Sequence, residues 1–294
     1  MAFTAPYQIG VDEAGRGSLI SRVYAAAVVL PDPVDSYMDF SGIRDSKKFH
    51  NKAVIREVAE YIKTHAVAWA VAWEDEKTID EINILQATQR AMHACCLSVH
   101  RTLGEDVVPH LWIDGNYFNP LVVAGGTTQL PHTTVEGGDN MYANIAAASI
   151  LAKTARDDYL INGLCVMHPE LCVRYRIDHN MGYGARRHMD GIRAYGISPW
   201  HRRTFGICKV YSSGLGGAPP LDEELRGTLA AADAAAAAPN APKERKARAP
   251  RRPRAAGTDE VSELATQVQT MMAEASVILK RLEALTAGTL PPPP

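Results

Sequence analysis

Short apolar runs alternate with amphipathic segments over about the first 210 residues. The strand-like runs are YQIGV (7–11), VYAAAVVL (23–30), AVAWAVAW (66–73), PHLWID (109–114) and HTTVEG (132–137). The helix-like segments are NKAVIREVAEYIKTH (51–65), IDEINILQATQRAMHACCLSVHRTL (79–103) and NMYANIAAASILAKTARDDYLI (140–161). This order of elements predicts an α/β fold, with a sheet that is covered by helices.

The pattern changes near residue 212. Residues 212–257 are rich in Ala, Pro and Arg and have little aliphatic bulk, which predicts a disordered basic linker. Apolar residues then recur at spacings of three and four, as in the seam of a coiled coil, at Val261, Leu264, Val268, Met271, Ala275, Ile278, Leu282 and Leu285. We predict an α/β domain at 1–211, this linker, a coiled-coil helix at 258–287 and a disordered tail at 288–294. The alternative is that the helix folds back on the α/β domain.

Charge is unevenly distributed in this chain of 294 residues and net charge −2. Residues 243–254 carry seven Lys or Arg against one Glu, a local charge of +6, which leaves −8 for the rest. The five cysteines are odd in number and form no CxxC pair, which favours a reducing compartment. No apolar run reaches the roughly 18 residues of a membrane span, and no signal-peptide pattern is present. We expect a cytoplasmic protein without a membrane partner.

Two adjacent acids, Asp12 and Glu13, precede a turn in the stretch IGVDEAGRGSL (9–19). Neighbouring side chains of a regular strand point to opposite faces, so these two carboxylates converge only if the strand ends there. Gly15 and Gly17 permit such a turn and also a close backbone approach to a ligand. The alternative interpretation is a solvated acidic turn.

Two further acids stand at comparable places. Asp114 ends a strand-like run and precedes Gly115, and Asp139 lies between a strand and a helix. Asp114 as a turn residue and Asp139 as a helix N-cap are the alternative interpretations. Four carboxylates at one sheet edge need a cation, and oxygen ligands favour Mg²⁺ or Mn²⁺.

Several motifs occur in series: GVDEAGRG (10–17), DSKK (45–48), IDGN (113–116), Gly138-Asp139 followed by IAAASILAKTARD (145–157), GYG (182–184) and HRRTFG (201–206). Over about residues 7–208 the chain resembles the type 2 ribonuclease H family, ribonuclease HII. The resemblance implies a ribonuclease H-like fold, with a mixed five-stranded sheet flanked by helices. It also implies a metal-dependent endoribonuclease of ribonucleotide excision repair, which cleaves the RNA strand of RNA/DNA hybrids and cuts 5′ of ribonucleotides in duplex DNA.

The resemblance also implies roles for individual residues. The metal-binding carboxylates fall on Asp12, Glu13, Asp114 and Asp139, which would hold two Mg²⁺ or Mn²⁺ ions. We assign the bridging position to Asp12, because it is central in this cluster. The products would carry a 3′-hydroxyl and a 5′-phosphate. The residues that read the ribose 2′-hydroxyl and its sugar would be Gly15, Arg16, Gly17 and Tyr183. Ser46 and Lys47 would hold phosphates. A half-buried core aromatic is the alternative for Tyr183.

Some positions depart from the family pattern. Asn180-Met181 replaces the usual His-Lys before the GYG motif, and Ser18-Leu19 replaces Pro-Leu. The lost lysine removes one potential phosphate contact. We interpret His179, His188 and His201 as surface or hydrogen-bonded histidines. Lys153 and Arg156 either face the site or pair with neighbouring acids.

Two other functions are alternatives for a sequence of this kind. Ribonuclease HIII would carry Gly-Lys-Gly and an added N-terminal domain, whereas this chain has Gly-Arg-Gly and few residues before its first strand. A non-catalytic hybrid-binding protein, recruiting through the coiled coil, would tolerate loss of an acid. All four acids are present, which favours the enzyme.

The C-terminal segment generates a prediction of its own. We expect a truncation after residue 212 to retain cleavage, because the motifs precede it. It should become monomeric, because residues 261–285 supply the seam for self-association or a partner helix. It should also bind duplexes more weakly with a shallower salt dependence, because residues 243–254 contact phosphates. Light scattering and a salt series of affinities test this; unchanged mass and slope would contradict it.

Overall fold

The computed structural model of the protein describes residues 7–32, 39–40, 42–43, 46, 49, 51–212 and 227. The predicted linker, coiled coil and terminal tail lie outside the described residues, apart from Ser212 and Gly227, and stay predictions. Within the described residues, no helix is long and apolar enough to span a membrane.

A mixed five-stranded sheet forms the centre of the fold. Its strands are β1 (Gln8–Ala14), β2 (Val23–Val29), β3 (Ala68–Glu74), β4 (His110–Asp114) and β7 (His132–Val135). Two short strands, β5 (Val122–Val123) and β6 (Thr128–Gln129), form a separate hairpin. The order across the sheet is β3-β2-β1-β4-β7. The β2 strand pairs antiparallel with β1 and β3, whereas β4 runs parallel to both β1 and β7. The predicted fold class is therefore confirmed.

The helices cover both faces of the sheet. Their bounds are α1 (Lys52–His65), α2 (Glu76–Leu103), α3 (Ala143–Asp158), α4 (Cys165–Met167), α5 (Glu170–Tyr175), α6 (Ile177–Asn180), α7 (Arg186–Tyr195) and α8 (Cys208–Ser212), with 3₁₀ turns at Ala124–Gly126 and Gly138–Asn140 and a π-helical segment at Tyr159–Leu164. The α2 segment is interrupted at Asn83, whose φ of 69° is not helical. The predicted helices 51–65, 79–103 and 140–161 are confirmed, although the last one ends earlier as an α-helix and continues as a π-helix.

Alternation along β1 divides the core into two layers. Ile9 and Val11 pack with Leu111 and with α2 on one face, whereas Ala146 and Ile150 of α3 pack with α1 on the other. Each layer buries apolar area, the dominant favourable term in folding. All five cysteines are free; four of them are buried, and Cys172 is partly exposed.

Gly10 brings β1 against the start of α3. A β-carbon at this position would lie 2.1 Å from the carbonyl carbon of Asn144, a separation that no side chain tolerates. The β1 backbone and the first turn of α3 are therefore in direct contact, and this contact fixes the helix over the strand that carries Asp12.

The C-terminal helices pack on the loop between β1 and β2. Leu19 and Ile20 of this loop are buried together with Leu160, Leu171 and Ile192. Backbone hydrogen bonds join Leu19 N to Gly182 O (2.8 Å) and Arg202 N to Leu19 O (2.9 Å). The GYG and HRRTFG motifs are thereby held beside the glycine turn of the N-terminal stretch.

Candidate active site

The carboxyl ends of three parallel strands place acids at one edge of the sheet. Val11 pairs with Ile113, so that Asp12 and Asp114 follow at neighbouring positions of β1 and β4. Asp114 is itself paired with Val135 of β7, and the next turn, Gly138–Asn140, contains Asp139. The amide of Gly138 donates to Asp114 Oδ1 at 2.8 Å. Parallel pairing therefore brings acids that are over a hundred residues apart to the same edge.

Asp12 and Glu13 both line one cleft, which Asp114 and the Gly15–Gly17 turn also line. The sequence suggested that the strand ends at Glu13, but the strand continues beyond this residue. Pairing with β2 continues through Ala14, with Ala26 opposite Asp12 and Ala25 opposite Glu13. The Asp12 carboxylate accepts from the Glu13 amide at 2.6 Å, which holds it near its neighbour.

Burial makes the anionic form of these acids costly. It raises the pKa of Asp12 well above its usual value; the charges of Glu13 and then Asp114 act in the same direction, and a hydrogen bond with Ser149 opposes them. Burial also raises the pKa of Glu13, against the influence of Arg16. The cleft therefore concentrates negative charge that a cation would stabilise.

Asp139 is buried and follows Gly138, whose amide donates to Asp114, but it is not among the residues that line the cleft, and it is not the N-cap of α3. Tyr142 occupies the N-cap position, and Asp139 lies within the preceding 3₁₀ turn, where its Oδ1 accepts from Asn140 Nδ2 at 3.0 Å. The N-cap alternative is therefore wrong. Within the described residues, no three Asp, Glu, His or Cys side chains stand in a ready-made coordination shell.

The two glycines of the turn have different reasons for being glycine. Gly15 has φ of +92°, and a β-carbon there would lie 3.0 Å from Arg156 Nε, so the fold itself requires glycine. A β-carbon on Gly17 would make only ordinary contacts, 3.8 Å from the Tyr183 ring. The missing side chain at Gly17 leaves room between the turn and Tyr183. Arg16 completes the turn, and its guanidinium contacts Glu13 Oε1 at 3.2 Å.

Tyr183 is 44% exposed and lines the cleft, so its interpretation as a core aromatic is wrong. Ser46 also lines the cleft, buried and hydrogen-bonded to Ser149 (Oγ to Oγ 2.9 Å). Lys47 lies outside the described residues. Next to Tyr183, Met181 has a lysine neighbour, because Lys52 Nζ of α1 lies 3.7 Å from its Sδ.

Sequence comparison places these residues in a known family. The sequence model described as ribonuclease HII matches residues 9–208. The chain belongs to the ribonuclease HII family. Ribonuclease HII of Parabacteroides distasonis is 42% identical over 207 residues, which are 69% of this chain and 92% of the relative. That of Neisseria meningitidis is 40% identical over 198 residues, which are 67% and 90% of the two chains.

Solved structures agree on the fold. Ribonuclease H2 from Pyrococcus horikoshii OT3 superposes with a TM-score of 0.55 at 22% identity, over 75% of this chain and 99% of that one. Membership of the ribonuclease HII family makes the protein an endoribonuclease of the ribonuclease H type, which acts on RNA/DNA hybrids and depends on a divalent metal ion. The match to the ribonuclease HII sequence model favours ribonuclease HII over the ribonuclease HIII alternative.

Three residues in or behind the cleft had no role assigned from the sequence, or had one left open: Ser149, Arg156 and Arg202. Ser149 hydrogen-bonds Asp12. Arg156 was expected either to face the site or to pair with an acid, and it does both: it lines the cleft, and its Nη1 lies 3.1 Å from Asp157 Oδ1. Lys153 also pairs with Asp157, at 2.8 Å. Arg202, fully buried behind the turn, had no assigned role beyond its place in the HRRTFG motif. Its sequence neighbours, His201 and Arg203, are both polar, so the local pattern gave no sign of its burial.

Two buried histidines stand behind Tyr183. Ser198 N donates to His201 Nδ1 at 2.9 Å, so that His201 carries its proton on Nε2 and donates to His188 Nε2 at 3.0 Å. His188 Nδ1 then donates to the Tyr183 carbonyl at 2.9 Å. This chain of bonds requires both rings to be neutral. The interpretation of these two as hydrogen-bonded histidines is confirmed, and His179 is an exposed partner of Asp178 (3.2 Å).

The histidine pair predicts acid sensitivity. Burial, and then the charge of His188, lowers the pKa of His201 to about 3. Between pH 6.5 and 3 the unfolded chain therefore binds a proton at this residue that the folded chain excludes. The free energy of unfolding should fall on acidification by about 1.4 kcal/mol per pH unit from this residue.

Urea unfolding across that range tests the prediction. His201→Gln should flatten the pH slope, with His65→Gln, at an exposed histidine ending α1, as the control. A wild-type slope in His201→Gln would show that His201 does not contribute.

Proposed function

We propose that the protein cuts 5′ of single ribonucleotides embedded in duplex DNA, as well as within longer hybrids, by a mechanism that uses two divalent ions. The products would carry a 3′-hydroxyl and a 5′-phosphate. The observation that carries the proposal is the convergence of Asp12, Glu13 and Asp114 with the Gly15–Gly17 turn and Tyr183 in one cleft. We also propose that the enzyme works in the cytoplasm and that 1–211 forms its catalytic domain.

The ions would be held by Asp12, Glu13, Asp114 and Asp139. Two features support the fit: all donors are hard carboxylate oxygens, and the buried Asp12 lies within the electrostatic influence of two further acids. The present partners are not obstacles, because Arg16 holds Glu13 in a half-exposed ion pair of the kind that contributes little free energy. Asp12, at the centre, would bridge the ions.

Mg²⁺ and Mn²⁺ both fit oxygen ligands. Bst-RNase HIII, which superposes on this chain with a TM-score of 0.50 at 15% identity, has been solved in complex with Mn²⁺. Bound ions would supply a nucleophile from water at neutral pH and stabilise the leaving oxygen. The protein's own contribution is orientation: β1 and β4 fix Asp12 and Asp114, and Ser149 holds the Asp12 carboxylate.

Recognition of the ribonucleotide would come from the turn and Tyr183. The 2′-hydroxyl both donates and accepts, so reading it requires close polar groups, which backbone amides supply. The open side of Gly17 borders the Tyr183 ring, so a sugar that lies on this edge of the cleft would contact both residues. Ser46 and Lys47 would hold phosphates, although the bond from Ser46 to Ser149 gives Ser46 a second role in supporting Asp12. The Lys52 ammonium beside Met181 offers a positive charge on that side.

The metal site predicts opposite effects on activity and stability. Asp12→Asn and Asp114→Asn should each lower cleavage of a duplex with one ribonucleotide by roughly a thousandfold or more, because a metal ligand worth several kcal/mol is lost. Asp12→Asn should raise the melting temperature of the metal-free protein, because a crowded buried charge is removed. It should also reduce the rise in melting temperature on adding Mn²⁺.

Asp106→Asn, in an exposed turn, is the control for these measurements. Cleavage at the wild-type rate by Asp12→Asn would refute the assigned site.

The glycine turn predicts a separation of folding from recognition. Gly17→Ala should leave the melting temperature nearly unchanged, because the added methyl meets only ordinary contacts, yet lower cleavage at a single ribonucleotide by roughly tenfold or more, because it fills space meant for the sugar. Gly163→Ala, with its methyl 3.6 Å from Tyr159, is the matched control. Full activity of Gly17→Ala would mean that the substrate does not enter this space.

A further inference from the structure

The guanidinium of Arg202 is bonded to four backbone carbonyls of the loop between β1 and β2. Nη2 donates to Gly15 O (2.8 Å) and Arg22 O (3.1 Å), Nη1 to Arg16 O (2.8 Å) and Nε to Ser21 O (2.9 Å). The side chain is fully buried, and among the described residues no carboxylate forms an ion pair with it. The planar fork of the guanidinium matches two consecutive carbonyls, those of Gly15 and Arg16.

Holding these two carbonyls also orients the amides that follow them. In a planar trans peptide the C=O and the next N–H point in opposite directions. Because the carbonyls of Gly15 and Arg16 point at Arg202, the N–H groups of Arg16 and Gly17 point away from it. In the described part of the chain neither of these amides donates a hydrogen bond to the protein. Both belong to residues that line the cleft.

A buried cation without an acidic partner is costly to keep. Burial, and then the neighbouring charge of Arg156, lowers the pKa of Arg202 to about 9, which leaves it protonated at neutral pH. Stability alone offers no reason for the charge, because buried ion sites are often replaced by apolar residues without loss. The charge is explained if the loop must present its amides in one fixed direction.

We propose that Arg202 is a positioning residue for ribonucleotide recognition, which aims the Arg16 and Gly17 amides into the cleft as a pair of donors to the 2′-oxygen. This inference rests on the proposed function, in which the glycine turn reads the ribose. Arg202 touches no substrate. It acts through the backbone of the turn, and the protonated fork is what sets the direction of the two N–H groups.

Lysine keeps the charge of Arg202 but not the fork, because its single nitrogen cannot hold two consecutive carbonyls in one plane. Arg202→Lys should therefore lose orientation while keeping the cation. Affinity is measured in EDTA for two duplexes of the same sequence, one with a single ribonucleotide and one entirely of DNA. The ratio of the two affinities reports recognition and is insensitive to a fraction of unfolded protein.

We expect Arg202→Lys to lower this ratio by roughly tenfold, which corresponds to about 1.4 kcal/mol, with unchanged affinity for the all-DNA duplex. Arg203→Lys is the matched control, since Arg203 is the exposed neighbour. A wild-type ratio in folded Arg202→Lys would overturn the inference. If the wild-type protein itself bound both duplexes equally, the proposed reading of ribose would fail instead.

Amide hydrogen exchange in the wild-type protein provides a test that does not depend on a variant. The Arg16 and Gly17 amides should exchange freely in the absence of duplex and become protected by the ribonucleotide duplex, and much less by the all-DNA duplex. Equal protection by both duplexes, or none by either, would overturn the inference even if Arg202→Lys fails to fold.

Discussion

The parallel pairing of β1 with β4, and of β4 with β7, is the constraint on which the active site depends. Parallel strands end at the same edge, and each of these three either carries an acid near its end or leads to one. The resulting proximity is electrostatically unfavourable without a cation, as the raised pKa values of Asp12 and Glu13 show. Folding free energy from the two core layers therefore supports a cluster of charges that would not assemble by itself.

The rest of the cleft is built around this edge by longer connections. The α3 helix contributes Ser149 and Arg156, and the loops between the C-terminal helices contribute Tyr183 and Arg202. The acids and the glycine turn thus belong to contiguous strand ends, whereas the residues that orient them come from distant parts of the chain. Chemistry and orientation are supplied by different segments.

This division explains what the sequence allowed us to predict. Strands and helices follow from local apolar periodicity, and the acids stood at strand ends beside glycines, so both were accessible to sequence reasoning. The bonds from Arg202 to Gly15 span 187 residues, and the His188–His201 bond depends on how α7 meets the following loop. Such contacts have no periodic signature. The end of β1 at Ala14 and the 3₁₀ turn at Asp139 were also missed, because pairing partners and turn geometry decide them.

Gly10 has a consequence for how the sequence can vary. Because β1 and α3 meet backbone to backbone there, the separation between Asp12 and Ser149 does not depend on the size of an intervening side chain. Exchanges among Ile, Leu and Val elsewhere in the two layers can be absorbed by repacking, which usually costs less than about 1.5 kcal/mol. Apolar residues of the core can therefore change during evolution while the distances within the site stay the same. A side chain in place of Gly10 would make those distances depend on the packing of the core.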